Sequence, residues 1–179
     1  DDASVAPDAG ALRRAVVRRA AVEGLADLFV EEFVDGREFN LSVLGRRGAE
    51  PEVLPPAEIR FVEFPAGKPR MVGYKAKWDE LSREARHTPR TFEFPPEDAA
   101  LLADLAAIAR RCWSLFGLRG HARVDFRVDA AGGPWVLEVN ANPCLSSDAG
   151  FAAAAARAGL SMRDVVGRIV ADTIGKESP

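Results

Sequence analysis

The chain has 179 residues, 47% hydrophobic and 28% charged, a size at which one domain or two small ones bury a core without disulfide or metal staples. Its 24 basic and 27 acidic side chains leave a net charge of −3, which excludes a disordered acidic tail and gives no general attraction to nucleic acid or anionic membrane. The two cysteines, Cys112 in an apolar helical pattern and Cys144 in a polar loop, exclude a disulfide framework and a CxxC metal site.

The N-terminus, DDASVAPDAG, lacks the basic region and apolar stretch of a signal peptide, and no apolar run approaches the roughly 18 residues that span a bilayer. A cytoplasmic protein without membrane or nucleic-acid partners is expected. A start at Asp1 rather than Met points to a piece of something longer.

Pro7 and Asp8 read as the start of a helix that carries Leu12, Val16, Val17 and Ala20 at helical spacing up to Gly24, with Arg13, Arg14, Arg18 and Arg19 on a solvated face. From Leu28 to Leu44, two β-rich runs joined by Asp35-Gly36 predict an antiparallel hairpin. In the second run Phe39, Leu41 and Val43 alternate with Glu38, Asn40 and Ser42, one face apolar and the other polar. Residues 45–57 read as turns, EIRFVEF as a strand and HTPRTFEFPP as a surface loop.

A long helix opens at Pro96, with Glu97 and Asp98 suited to its positive end and Leu101, Leu105, Ile108, Cys112 and Leu115 in one stripe; Gly117 closes it. A two-strand pattern, GHARVDFRVDAAGGPWVLEVN, precedes a polar loop and two helices, about 149–158 and 162–174. Strands mixed irregularly with helices argue an α+β fold.

Chemistry concentrates between Arg123 and Ser147. With Asp129 paired to Pro134, Val124 faces Val139, Phe126 faces Leu137 and Val128 faces Trp135 on the apolar side. The other side sets Asp125 opposite Glu138 and Arg123 opposite Asn140. Opposed carboxylates repel unless a cation neutralises them, and oxygen donors without His or thiolate suit a hard ion such as Mg²⁺, completed by nucleotide phosphates. Arg123 is positioned to clamp a phosphoryl oxygen or an oxyanion. The competing reading is a solvent-facing hairpin whose charges simply meet water.

The strings VEEFVDGREFNLSVLG, YKAKWDE and GHARVDFRVDAAGGPWVLEVNANP resemble, in order and spacing, the C-terminal part of ATP-grasp carboxylate–amine ligases, closest to the D-alanine–D-alanine ligase branch. The resemblance implies an ATP-grasp fold of antiparallel sheet covered by helices, and a reaction through an acyl phosphate with ATP and Mg²⁺. It implies Asp125, Glu138 and Asn140 as magnesium ligands and Arg123 as the residue that steadies the acyl-phosphate and tetrahedral oxyanions. Glu31, Glu32 and Val34 match a hinge at the adenine edge, Glu38 a ribose-binding acid and Lys77 a phosphate-contacting lysine. Ala3, Ser4 and Val5 match part of a small-residue loop over the phosphates.

The same resemblance implies residues 1–44 as part of a nucleotide-covering subdomain and 45–179 as the metal-binding one, with the family's N-terminal domain absent and supplied by the rest of the protein or another chain. Small-molecule carboxylate and amine substrates follow, and a homodimer is admitted. Two positions depart from the ligase pattern: Cys144 stands where a Gly is expected and Ala149 where a Ser helps hold the second substrate. D-alanine is therefore not the expected acceptor. Arg127 reads as a structural or solvated charge, and His87 and His121 as satisfied side chains. Rival readings are an ATP-binding regulatory or assembly module without turnover, and a phosphoryl transferase using the same metal face.

Overall fold

The computed structural model describes residues 5–23, 28–64, 69–71 and 87–174. The chain divides into two compact units, one of residues 1–35 and 61–89, the other of 36–60 and 90–179. This differs from the expected subdomains of 1–44 and 45–179, whose boundary falls inside a strand of the second unit.

In the first unit, helix α1 (Ala9–Glu23) starts where Asp8 Oδ1 accepts the Ala11 N–H at 2.7 Å. Leu12 and Val16 are half-buried, whereas Val17, expected on the apolar stripe, is 68% exposed. Arg13, Arg14 and Arg18 are exposed, as read for a solvated face, whereas Arg19 is half-buried. Residues 28–35 form no strand, so the hairpin expected across Asp35-Gly36 is absent. His87 is satisfied as expected, its Nδ1 lying 2.8 Å from the Val62 carbonyl oxygen.

The second unit is built on a sheet of six strands among the described residues: β1 (Arg37–Arg46), β2 (Ala49–Val53), β3 (Ala57–Ile59), β4 (Arg90–Thr91), β5 (His121–Val128) and β6 (Pro134–Asn140). Their order is β4-β3-β1-β5-β6, with β2 also paired to β1, and the pairings among these strands are antiparallel. β1 is thus flanked by β5 along one side and by β2 and β3 along the other, which leaves no edge for the run at 28–35. Gly36 serves a different purpose from a hairpin turn: at φ 155° it passes so close to the end of β5 that a Cβ there would overlap the Val128 carbonyl oxygen.

β2 lies within the stretch read as turns, where Pro51 and the nearby Pro55-Pro56 mask a strand that pairs Val53 with Val43 and Glu52 with Leu44. Only the start of EIRFVEF is strand. Likewise, the surface loop at 87–96 contributes the short β4.

Alternation in β1 and β5 assigns the two sheet faces. Phe39, Leu41, Val43, Val124, Phe126 and Val128 pack on Leu105, Ala109 and Cys112 of helix α2 (Ala99–Leu115), and these nine side chains are buried together. A short 3-10 turn, Pro96–Asp98, leads into α2. Leu115, expected on the same stripe, is 80% exposed. Asp98 does not cap the helix with its side chain; it forms two hydrogen bonds to Arg37, which also grips Glu58. These hydrogen bonds hold the Asp98 carboxyl below its ordinary range.

On the opposite face, Leu44 and Leu54 pack against Phe151, Ala154 and Ala155 of helix α3 (Gly150–Arg157) and Val165 of helix α4 (Met162–Ile174). Both helices fall where the sequence places them. They cover the Leu44 end of this face and leave its polar rows to the site described next.

The β5–β6 hairpin departs from a constant register. Arg123↔Asn140, Val124↔Val139 and Asp125↔Glu138 pair as expected, then a bulge shifts the ladder so that Phe126 faces Val136 and Val128 faces Pro134. Leu137 is the extra residue. Trp135, Val136 and Leu137 are each about half exposed on this edge strand, so no buried apolar face holds the distal register in place.

Candidate active site

Three strands place polar side chains on the face opposite α2. Antiparallel partners share a face, so Asn40, Asp125 and Glu138 form one row across β1, β5 and β6, with Ser42, Arg123 and Asn140 in the next. Glu38 and Arg127 lie in the row on the other side. The expected cluster of Arg123, Asp125, Glu138 and Asn140 is therefore brought together. Asn40 completes its central row, although the sequence reading gave it no role; its alternation with Glu38 and Ser42 was the available signal.

Asp125 is buried, and its two carboxylate oxygens accept from Arg123 Nε and Nη2, both at 2.7 Å. Such a fork-to-fork pair is the strongest way for a guanidinium to hold a carboxylate. Burial opposes the Arg123 charge, but the Asp125 hydrogen bonds and the fields of Asp125, Glu138 and Glu38 outweigh it and hold the guanidinium above its ordinary range. The opposed carboxylates thus already face one protein cation. Glu138 is exposed, and Asn140 Oδ1 accepts the Asn142 N–H at 2.9 Å, which fixes the amide at the start of the following loop.

The donor set fits a hard divalent cation chemically: two carboxylates and one amide oxygen in adjoining rows, with spare lone pairs on each. Among the described residues no three His, Cys, Asp or Glu side chains converge as a metal cluster of their own. A cation here would need oxygens from its ligand as well.

Glu38 is buried against Arg127, 3.1 Å from Nη2, while Arg127 Nη1 donates to the Gly36 carbonyl at 3.1 Å. Arg127 is thus a structural charge, as the sequence suggested. His121 is satisfied too: its Nε2 lies 3.3 Å from the Pro143 carbonyl, its ring meets Phe151 edge-on, and burial depresses its pKa. Cys144 is exposed with Sγ 3.1 Å from Ser146 Oγ, a contact that lowers its thiol pKa. Ala149 is the N-cap of α3 and offers no side-chain hydrogen bond.

The remaining expected residues belong to the first unit or lie outside the described residues. Glu31 and Glu32 are exposed, and Val34 and Val5 half-buried, in irregular segments of the first unit. Ala3, Ser4 and Lys77 lie outside the described residues.

Comparison with known proteins matches residues 9–171 to a family described as D-ala D-ala ligase C-terminus. A D-alanine–D-alanine ligase of Carboxydothermus hydrogenoformans is 37% identical over 80% of this chain and 42% of its own length. An uncharacterised protein of Sinorhizobium fredii, y4sG, is 34% identical over 80% of this chain and 40% of its own. The chain therefore spans about two-fifths of the length of these curated relatives. Among solved structures, a D-alanine–D-alanine ligase of Bacillus anthracis complexed with ATP superposes with a TM-score of 0.68 over 93% of this chain and 47% of that one, at 19% identity. No described helix is long and apolar enough to cross a membrane.

Proposed function

The chain belongs to the D-alanine–D-alanine ligase C-terminal family, with the α+β architecture of the ATP-grasp fold, and from that premise we propose that its protein is an ATP- and Mg²⁺-dependent carboxylate–amine ligase. The observation that carries this reading is the polar row Asn40–Asp125–Glu138, flanked by Arg123 and Asn140. A fold gains nothing structurally from opposing two carboxylates on a sheet, and this donor set is one that phosphate oxygens complete.

In this reading a substrate carboxylate oxygen attacks the γ-phosphorus of ATP, the bond to the β-phosphate oxygen breaks, and ADP leaves an acyl phosphate behind. The amine then forms the C–N bond, and the tetrahedral adduct sheds inorganic phosphate and a proton. Asp125, Glu138 and Asn140 would hold Mg²⁺, which would supply charge neutralisation for the phosphates. Arg123 is already oriented by Asp125, so its remaining N–H groups donate to phosphoryl or tetrahedral oxygens without reorganising. Glu38 binds ribose, and Glu31, Glu32 and Val34 meet the adenine edge. Lys77 and the loop of Ala3, Ser4 and Val5 contact the phosphates. Cys144 and Ala149 stand where the ligase pattern has Gly and Ser, so D-alanine is not the preferred acceptor.

In the full-length protein, ADP and phosphate should appear only when a carboxylate and an amine are both present. Glu138→Gln should lower that turnover about 100-fold or more while leaving the fold intact. Undiminished turnover in this variant refutes the metal assignment. ATP binding without release would instead indicate a regulatory module, and a stable phosphorylated product a phosphoryl transferase.

A further inference from the structure

Arg127 stands directly opposite Glu38 in the β1–β5 ladder, with Trp135 of β6 opposite it on the other side. Its side chain is 4% exposed and that of Glu38 11%. Nη2 lies 3.1 Å from Glu38 Oε2, and Nη1 donates at 3.1 Å to the carbonyl of Gly36, the first residue of the second unit. One guanidinium therefore fixes both the Glu38 carboxylate and the backbone two residues ahead of it, where Gly36 already passes too close to Val128 for any side chain.

Stability alone does not account for this pair, since a buried ion pair is often no more stable than two apolar side chains of the same size. It sits one row, about 7 Å along the strands, from Asn40, Asp125 and Glu138. The field of Glu38 reaches the guanidinium of Arg123 across that row. An unbalanced carboxylate so placed would repel a polyphosphate held beside Arg123 and would be drawn toward that cation itself. Arg127 opposes both effects: it balances the charge and pulls the carboxylate along its own row instead of across the next.

We propose that Arg127 is a positioning residue for nucleotide selection, which orients Glu38 so that its carboxylate accepts from the neighbouring hydroxyls of a ribose and so makes the reaction selective for ribonucleotides over deoxynucleotides. The inference rests on the ligase reading above and on Glu38 as its ribose contact. An oxygen engaged by one N–H keeps a second lone pair, so the Arg127 bond does not exhaust Glu38 Oε2. Two adjacent hydroxyls present two donors at a fixed separation, and a carboxylate that cannot swing meets both without further ordering. A deoxynucleotide leaves part of a largely buried carboxylate without its donor. Arg127, itself sealed from solvent, acts only through Glu38.

The test compares ATP with 2′,3′-dideoxy-ATP in the full-length protein. The native protein should favour ATP in kcat/KM by about tenfold or more. Arg127→Met should narrow that ratio to about threefold or less by raising the KM for ATP, with kcat at saturating ATP and the acceptor KM little changed. Arg127→Gln, which keeps a donor amide at the position, reads the same ratio if the Met variant does not fold. Arg127→Lys, which keeps a cation beside Glu38, should recover part of the preference. Inorganic tripolyphosphate, as a competitive inhibitor, reports on the phosphate end alone and should inhibit native and variant proteins equally.

Binding is read separately by calorimetry with ADP and 2′,3′-dideoxy-ADP, where the same narrowing should appear without turnover. A ratio unchanged in both neutral variants, whatever their melting temperatures, overturns the proposal and leaves a purely structural ion pair. Tripolyphosphate inhibition that weakens as much as the KM for ATP rises also overturns it, because the whole site would then have collapsed. A native protein indifferent to the two hydroxyls removes the proposal and leaves the metal-row ligase reading standing. Narrowing in calorimetry without any amine-dependent ADP release does the reverse.

Discussion

The two oxygens of Asp125 that bind Arg123 lie in the same row as the carboxylate of Glu138, so the two acids cannot be exchanged in an experiment. The Asp125 side chain is only 8% exposed and that of Arg123 21%, and neutralising Asp125 leaves a largely buried guanidinium without its counter-charge. Asp125→Asn should therefore cost about 3 kcal/mol in stability, whereas Glu138→Gln, at an exposed position, should change it by no more than about 0.5 kcal/mol. Denaturant titration of the two variants checks this difference, and equal losses would show that the Arg123 pair is solvent-screened. Glu138→Gln is consequently the cleaner probe of chemistry. Arg123→Lys keeps a charge but cannot reach both Asp125 oxygens, and should impair turnover without matching the stability loss of Asp125→Asn.

At the scale of elements, burial follows from what each helix covers rather than from spacing alone. Leu105 and Leu115 share a stripe in the sequence, yet Leu105 is sealed against β1 and β5 while Leu115 is 80% exposed. Leu105→Ala should cost about 2–5 kcal/mol and Leu115→Ala less than about 0.5 kcal/mol, measured by thermal or denaturant unfolding. Gly36→Ala should cost more than about 1 kcal/mol, because the added methyl overlaps the Val128 carbonyl. The helices and the site rows were legible because their periods run unbroken. The missing strand at 28–35 was not, since strand propensity cannot say that β5, β2 and β3 already occupy both sides of β1. The Leu137 bulge escaped as well, because an exposed edge sets no apolar pattern that a slip would violate.

For the whole molecule, acid sensitivity should appear in two steps. Burial depresses His121 in the folded state, so between its folded value and the ordinary one of about 6.5 the unfolded chain binds more protons. Stability from this source is complete above about pH 6.5 and declines as pH falls through the depressed folded value. Asp98, Asp129 and Asp164 are all held below the ordinary carboxylate range, so a second decline should begin only below about pH 4. Melting temperatures from pH 8 to 3 should trace both, and His121→Gln should flatten the first while sparing the second. An unchanged first step in that variant would place the sensitive group elsewhere.

The bulge at Leu137 separates two lengths of ladder that need not keep count with each other. On one side lie the paired rows from Arg123 to Asp125; on the other lies a tip organised by Asp129, whose carboxylate collects the N–H groups of Ala131, Gly133 and the Trp135 indole. A sheet normally transmits a one-residue change along its whole length by turning every following side chain over. Here an odd residue added at the tip has somewhere to be absorbed before it reaches Glu138. The hairpin end can therefore drift in length, or carry a grafted epitope or a dye, while the reactive rows keep their alignment, much as a slack link lets one end of a chain be pulled without moving the other.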